Sequence, residues 1–162
     1  MAWHWPTRSF ERSEPSDATV LRSVAFVLDA GVFVSAVITP GGVASRIVAA
    51  GIEGRFEYLL CPQLVGELTD VLGRPKFNRL VGADDRQRFL AEVLAAGRDV
   101  NDPAEVPALS RDPEDDYLLA LAGEHRAELI VTGDADLLDI GGPPVPVIGL
   151  RAFLELLARE RR

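Results

Sequence analysis

Hydrophobic positions along the chain follow two rhythms, short unbroken runs and longer stretches of helical period. Residues 24–29, VAFVLD, are β-branched and aromatic up to Asp29, the composition of a strand buried on both faces. Residues 31–38 and 44–50 are helical in composition, separated by a Thr-Pro-Gly-Gly break at 39–42. FEYLLC at 56–61 predicts a second strand, closed by Pro62, which suits a first helical turn. Leu64, Val65, Leu68, Val71 and Leu72 then recur at helical spacing until Gly73-Arg74-Pro75 ends the pattern. Further along, the pattern predicts a helix over 84–96, an edge strand or loop over 100–106, and a helix opened by Asp112-Pro113 with Asp112 as its cap. ELIVT at 128–132 is the third clear strand, 145–148 a last one, and 150–158 a terminal helix. Alternating strands and helices predict an α/β fold whose parallel sheet is covered on both faces. Residues 1–23, with two prolines, mixed charge and no period, predict a flexible N-terminal extension ahead of one domain over 24–162.

Charge changes the picture more than composition does. The 162 residues carry 17 basic and 25 acidic side chains, a net charge of −8. Residues 1–23 hold three of each sign and residues 151–162 four basic and two acidic, so residues 24–150 hold 10 basic against 20 acidic, a net −10. Such a domain repels a polyanion at long range, which argues against a basic protein that reads nucleic acid by groove contacts alone. An apolar share of 48% excludes disorder for the bulk of the chain. The longest apolar stretch is interrupted by Asp29 and too short for a bilayer, and residues 1–20 lack the apolar block of a signal peptide, so a cytoplasmic protein without membrane association is expected. Cys61 is the only cysteine, and the two histidines lie at 4 and 125, so no intrachain disulfide or cysteine-based zinc site is expected.

The acids themselves carry the chemistry. In a doubly wound sheet ligands collect outside the carboxyl ends of the strands, and Asp29 closes the first strand while Asp134 and Asp136 follow the third. Glu67 lies beside the apolar 64/68/71 stripe, a costly place for a carboxylate unless it is paired or holds a cation. Asp112, Glu114, Asp115 and Asp116 crowd one helix start, where the dipole favours negative charge, so only one of them need be functional. Carboxylates gathered at one sheet edge coexist cheaply around a hard divalent cation, Mg²⁺ or Mn²⁺, and such ions serve phosphodiester hydrolysis.

Four segments, VAFVLDAGVFVSA, LVGELTDVLGRPKF, RDPEDDYLLALA and ELIVTGDADLL, resemble in order the motifs of PIN-domain proteins over residues 24–150. The nearest likeness is to the toxins of bacterial toxin–antitoxin systems, the group of VapC-type ribonucleases. The resemblance implies a three-layer α/β/α sandwich with a mostly parallel central sheet. It also implies a Mg²⁺- or Mn²⁺-dependent endoribonuclease, usually a homodimer, neutralised by a cognate antitoxin. The acids that it assigns are Asp29, Glu67, Asp116 and Asp134, with Asp136 as an accessory ligand and Thr132 hydrogen-bonding near the site. Asp116 is taken in preference to Asp115 because an apolar helical run reaches a small residue, Ala120, four positions on.

One departure from that pattern bears on activity. The family commonly has Asp-Thr/Ser-Asn/Ser after the first strand, and this chain has Asp29-Ala30-Gly31, leaving only the Gly31 backbone N–H as a donor there. Two readings therefore stay open, an active endoribonuclease and a weak or silent PIN fold acting by RNA or protein binding. A receiver or aspartyl phosphatase is excluded: Leu28 precedes Asp29, position 31 is Gly, and the single lysine is Lys76. Between residues 71 and 90, Arg74, Lys76, Arg79, Arg86 and Arg88 face only Asp84 and Asp85, so Arg74, Lys76 and Arg79 are expected to contact RNA phosphates. His125 is expected to serve the helix C-terminus, and Cys61 to pack in the core.

Overall fold

The computed structural model describes residues 24–160. The expectation for residues 1–23 falls outside that range. The elements in chain order are β1 Ala25–Leu28, α1 Ala30–Ile38, α2 Val43–Ile52, β2 Glu57–Leu60, α3 Pro62–Leu72, α4 Ala83–Ala96, β3 Arg98–Asp99, α5 Pro113–Glu124, β4 Leu129–Val131, α6 Ala135–Leu138, β5 Val147–Ile148 and α7 Leu150–Arg159. The five strands form one parallel sheet in the order β3-β2-β1-β4-β5.

The apolar runs dictate which strands sit centrally. All four residues of β1 are buried, and β1 pairs with β2 on one side (Phe26 opposite Tyr58) and β4 on the other (Val27 opposite Ile130). Helices α1, α2, α3, α4 and α7 pack against one another, while α5 packs on β1 and β4. With parallel strands and right-handed crossovers, the connections from β1 to β2 and from β2 to β3 cover one face, and the return through α5 to β4 covers the other. The result is the three-layer α/β/α sandwich.

Beneath α1, α2 and α7 lies an aromatic cluster in which Phe26, Phe56 and Phe153 meet edge to face at centroid distances of 5.1–5.6 Å. Phe33 and Tyr58 extend it, and the Tyr58 hydroxyl donates to the Val93 carbonyl at 2.6 Å, tying β2 to α4. Removing a ring such as Phe26 would cost about 3–5 kcal/mol by lost transfer energy and the cavity left behind. Gly97 ends α4 against β2, where a Cβ would overlap Leu60 and Tyr58.

Two boundaries differ from the sequence pattern. Of the edge strand or loop expected over 100–106 the structure has the loop, and the edge strand is the two-residue β3 just before it, Arg98–Asp99, prolonged only by the Val100 N–H to Leu60 carbonyl bond. Pro103 and Pro107 cannot donate to a ladder, so the chain beyond runs as an irregular loop. Strand β5 is likewise shortened to Val147–Ile148, with the Pro146 carbonyl still accepting from the Ile130 N–H. Among the described residues no single helix is long and apolar enough to cross a membrane; α1 and α2 meet the length and composition only as a pair bent by 107°.

Candidate metal centre

Strand order reverses between β1 and β4, where successive crossovers leave in opposite directions, and the crevice beyond their carboxyl ends is where such sheets bind ligands. A cleft of about 370 Å³ opens there, lined by Asp29, Gly31, Val32, Ser35, Gly133, Asp134 and Leu150. The sequence places an acid directly after each of the two strands, and local hydrogen bonds fix both. Asp29 caps α1, its Oδ1 accepting from the Gly31 N–H at 3.1 Å, and its Oδ2 accepts from the Thr132 hydroxyl at 2.7 Å. Thr132 is fully buried, and its oxygen also accepts from the Asp134 N–H at 3.0 Å. One hydroxyl therefore joins the ends of β1 and β4. Asp134 in turn caps α6, accepting from the Asp136 N–H at 2.9 Å. Asp136 itself is exposed.

Glu67 reaches the same edge from α3. It is half-buried, and its Oε2 accepts from the Tyr117 hydroxyl at 2.6 Å. Tyr117, only 3% exposed, has its phenol pushed up, first by burial, then by the Glu67 hydrogen bond and by the charges of Glu67, Cys61 and Asp29. Glu67 and Asp29 thus share one electrostatic neighbourhood.

At the third position the expected Asp116 and its neighbour Asp115 have different surroundings. Asp116 is buried, and its Oδ1 accepts from the backbone N–H groups of Leu109 at 3.1 Å and Ser110 at 2.7 Å. Burial pushes its carboxyl up, but the bonds from Ser110 and Leu109 outweigh that and hold it below the usual carboxylate range. Asp116 is an anchor for the loop before α5. Asp115 is the acid that meets the cluster. Its carboxyl is pushed up to about 6, first by desolvation and then by the charges of Asp134, Asp112, Asp29 and Asp136. What separates the two is their partners: the Leu109 and Ser110 N–H groups engage Asp116, while Asp115, only partly buried, lies toward the other acids.

The donor chemistry fits a hard divalent cation: Asp29, Glu67, Asp115 and Asp134 offer only carboxylate oxygens, and Asp115, raised first by desolvation, is raised further by the charges of Asp134 and Asp29 among others. Among the described residues, however, no three His, Cys, Asp or Glu side chains converge as a ready-made ligand group. The other sequence candidates lie apart from the cleft. Arg74, Lys76 and Arg79 are exposed around the short turn after α3, Arg74 3.4 Å from Asp70 and the Lys76 Nζ 5.1 Å from the Phe77 ring centroid. Arg86, counted with them from sequence, is instead buried, donating to the carbonyls of Leu72 and Arg74 and to the Asn78 amide oxygen. His125 is the C-cap of α5 with its Nε2 3.1 Å from the Asn101 carbonyl oxygen, and Cys61 is buried, its thiol pushed up to about 11 first by desolvation.

A protein-family model described as a PIN domain matches residues 25–136, well over half of the chain. The chain belongs to the PIN-domain family. PIN domains are generally nucleases and typically bind divalent metals, and the cleft lies at the β1/β4 switch point, where open α/β sheets bind ligands. Among curated proteins this PIN domain is similar to an uncharacterized protein, MJ1680, of Methanocaldococcus jannaschii, 26% identical over 117 residues that make up 72% of this chain and 75% of that one. The crystal structure of PAE2754 from Pyrobaculum aerophilum superposes with a TM-score of 0.57 at 19% identity, covering 84% of this chain and 90% of that one. That likeness carries the fold.

Sequence reasoning had no view of Tyr117, Ser35 or Leu150 at the site.

Proposed function

We propose that this PIN domain is a Mg²⁺- or Mn²⁺-dependent endoribonuclease, with Asp29, Glu67, Asp115 and Asp134 as its ligating acids and Asp136 at the rim. The observation that carries the reading is the placement of Asp29 and Asp134 at the cleft beyond the carboxyl ends of β1 and β4, joined through Thr132, with Asp115 close enough that its carboxyl, raised first by desolvation, is raised further by Asp134, Asp112, Asp29 and Asp136. When bound, a hard divalent ion supplies positive charge against the scissile phosphate and lowers the pKa of the attacking water. The protein's own contribution is orientation. Gly31 N–H and the Thr132 hydroxyl fix the Asp29 carboxylate from two sides, and Tyr117 holds Glu67. These bonds leave each carboxylate with lone pairs free for a ligand.

A role as the toxin of a toxin–antitoxin pair, with a homodimeric state and a cognate antitoxin, belongs to the same reading and rests on the motif resemblance. A second reading, a weak or silent PIN fold acting by binding, is favoured by one observation: Gly31 offers Asp29 a backbone N–H and no side chain. The test is internal cleavage of a labelled RNA with Mn²⁺ or Mg²⁺ and with a chelator, on the wild-type chain and Asp29→Asn. Metal-dependent cutting lost in the variant supports the nuclease. Equal, metal-independent cutting by both, or RNA binding with no cutting by either, contradicts it.

A further inference from the structure

We propose that Tyr117 is the positioning residue for Glu67, setting which carboxylate oxygen is offered to the cleft. The bond joins residues 50 apart in sequence at 2.6 Å and bridges α3 and α5, helices on opposite faces of the sheet, around its carboxyl edge. Tyr117 is 3% exposed, so its hydroxyl has little access to water, and a buried donor without its acceptor would be costly. Glu67 is half-buried with three rotatable side-chain bonds, and among the described residues no Lys or Arg pairs with it. Without the phenol its carboxylate would sample several rotamers. The nature of the donor matters as well. A guanidinium or ammonium would neutralise Glu67 and compete with a cation for it, whereas a neutral phenol orders the carboxylate, occupies one lone pair of Oε2, leaves Oε1 free and preserves the negative charge.

This inference rests on the metal-dependent reading above, and the experiment separates the two. Mn²⁺ is titrated calorimetrically into the full-length wild type, Tyr117→Phe, Glu67→Gln and the double variant, with thermal unfolding recorded for each. The expected result is a Mn²⁺ affinity about 10–100-fold weaker for Tyr117→Phe, as for other residues that orient metal ligands, with a double variant no weaker than Glu67→Gln alone. Glu67→Asp, which withdraws the carboxylate by one methylene while leaving the Tyr117 ring packed, is expected to lose affinity similarly and serves if Tyr117→Phe does not fold. Wild-type affinity retained in Tyr117→Phe, even with a lowered melting temperature, or additive losses in the double variant, would overturn the positioning role alone. Absence of Mn²⁺ binding by the wild type would overturn both this inference and the metal-dependent reading.

Discussion

Asp115 and Asp116 are chain neighbours in opposite electrostatic situations. Asp116 has two backbone N–H donors and a lowered carboxyl; Asp115 has like charges around it and a raised one. Replacing Asp116 with Ala leaves the Leu109 and Ser110 N–H groups without their acceptor and is expected to cost about 2–3 kcal/mol in denaturant unfolding. The two acids also differ in the sign of their pH dependence. Asp115 titrates near 6 in the folded, metal-free chain against 3.8 for an ordinary Asp, so folding favours its protonated form. Its contribution to stability is present below the ordinary value and is lost as pH rises through about 6. Melting temperatures of the metal-free protein should therefore fall, relative to Asp115→Asn, between pH 4 and pH 7. A difference between the two proteins that does not change with pH would contradict this. Asp116, held low, does the reverse: its contribution is present at neutral pH and is lost on acidification below the ordinary Asp range. Thr132, fully buried and bonded on both sides, gives a further test at this scale. Thr132→Val keeps the shape and removes the hydroxyl, leaving Asp29 Oδ2 and the Asp134 N–H without it. A loss of about 1–3 kcal/mol is expected in denaturant unfolding, together with weaker Mn²⁺ binding.

At the scale of elements, each strand is short and the sheet is held as much by what lies above it as by its ladders. Gly97 is the sharpest case, because the backbone must pass beside Leu60 and Tyr58 to begin β3. Gly97→Ala is expected to destabilise by about 1–3 kcal/mol through overpacking, read by thermal or denaturant unfolding, whereas unchanged stability would mean that β2 and α4 can part freely. Most elements were legible in sequence for a simple physical reason. The central strands are buried on both faces and read as unbroken apolar runs, while α3 and α5 begin at Pro62 and Pro113 and so declare their own first turns. What was not legible was set by distant partners. Strand β3 exists only because Leu59 and Leu60 offer it an edge, the inward turn of Arg86 depends on the carbonyls at the end of α3, and the Tyr117–Glu67 bond joins two helices that no local pattern connects. The choice between Asp115 and Asp116 was of the same kind, since the bonds that engage Asp116 come from Leu109 and Ser110 in the preceding loop.

The whole molecule is acidic, yet a dense basic surface, around Arg74, Lys76 and Arg79, lies just beyond α3, the helix that carries Glu67. Arg74, Lys76 and Arg79 are exposed there and are the cations proposed to meet RNA phosphates. Changing Arg74 and Lys76 together to Ala should weaken RNA binding across sequences and lower the salt slope by about 2, one unit for each phosphate no longer neutralised. An unchanged slope would show that RNA does not touch this surface. The acidic cleft itself stands on the claim that Asp115, and not its neighbour, completes a cation site with Asp29, Glu67 and Asp134. Calorimetric titration of Mn²⁺ into the wild type, Asp115→Asn and Asp116→Asn tests it most directly. Binding by the wild type, abolished or strongly weakened in Asp115→Asn and nearly retained in a folded Asp116→Asn, is the predicted result; loss confined to Asp116→Asn, or no Mn²⁺ binding by the wild type, would contradict it.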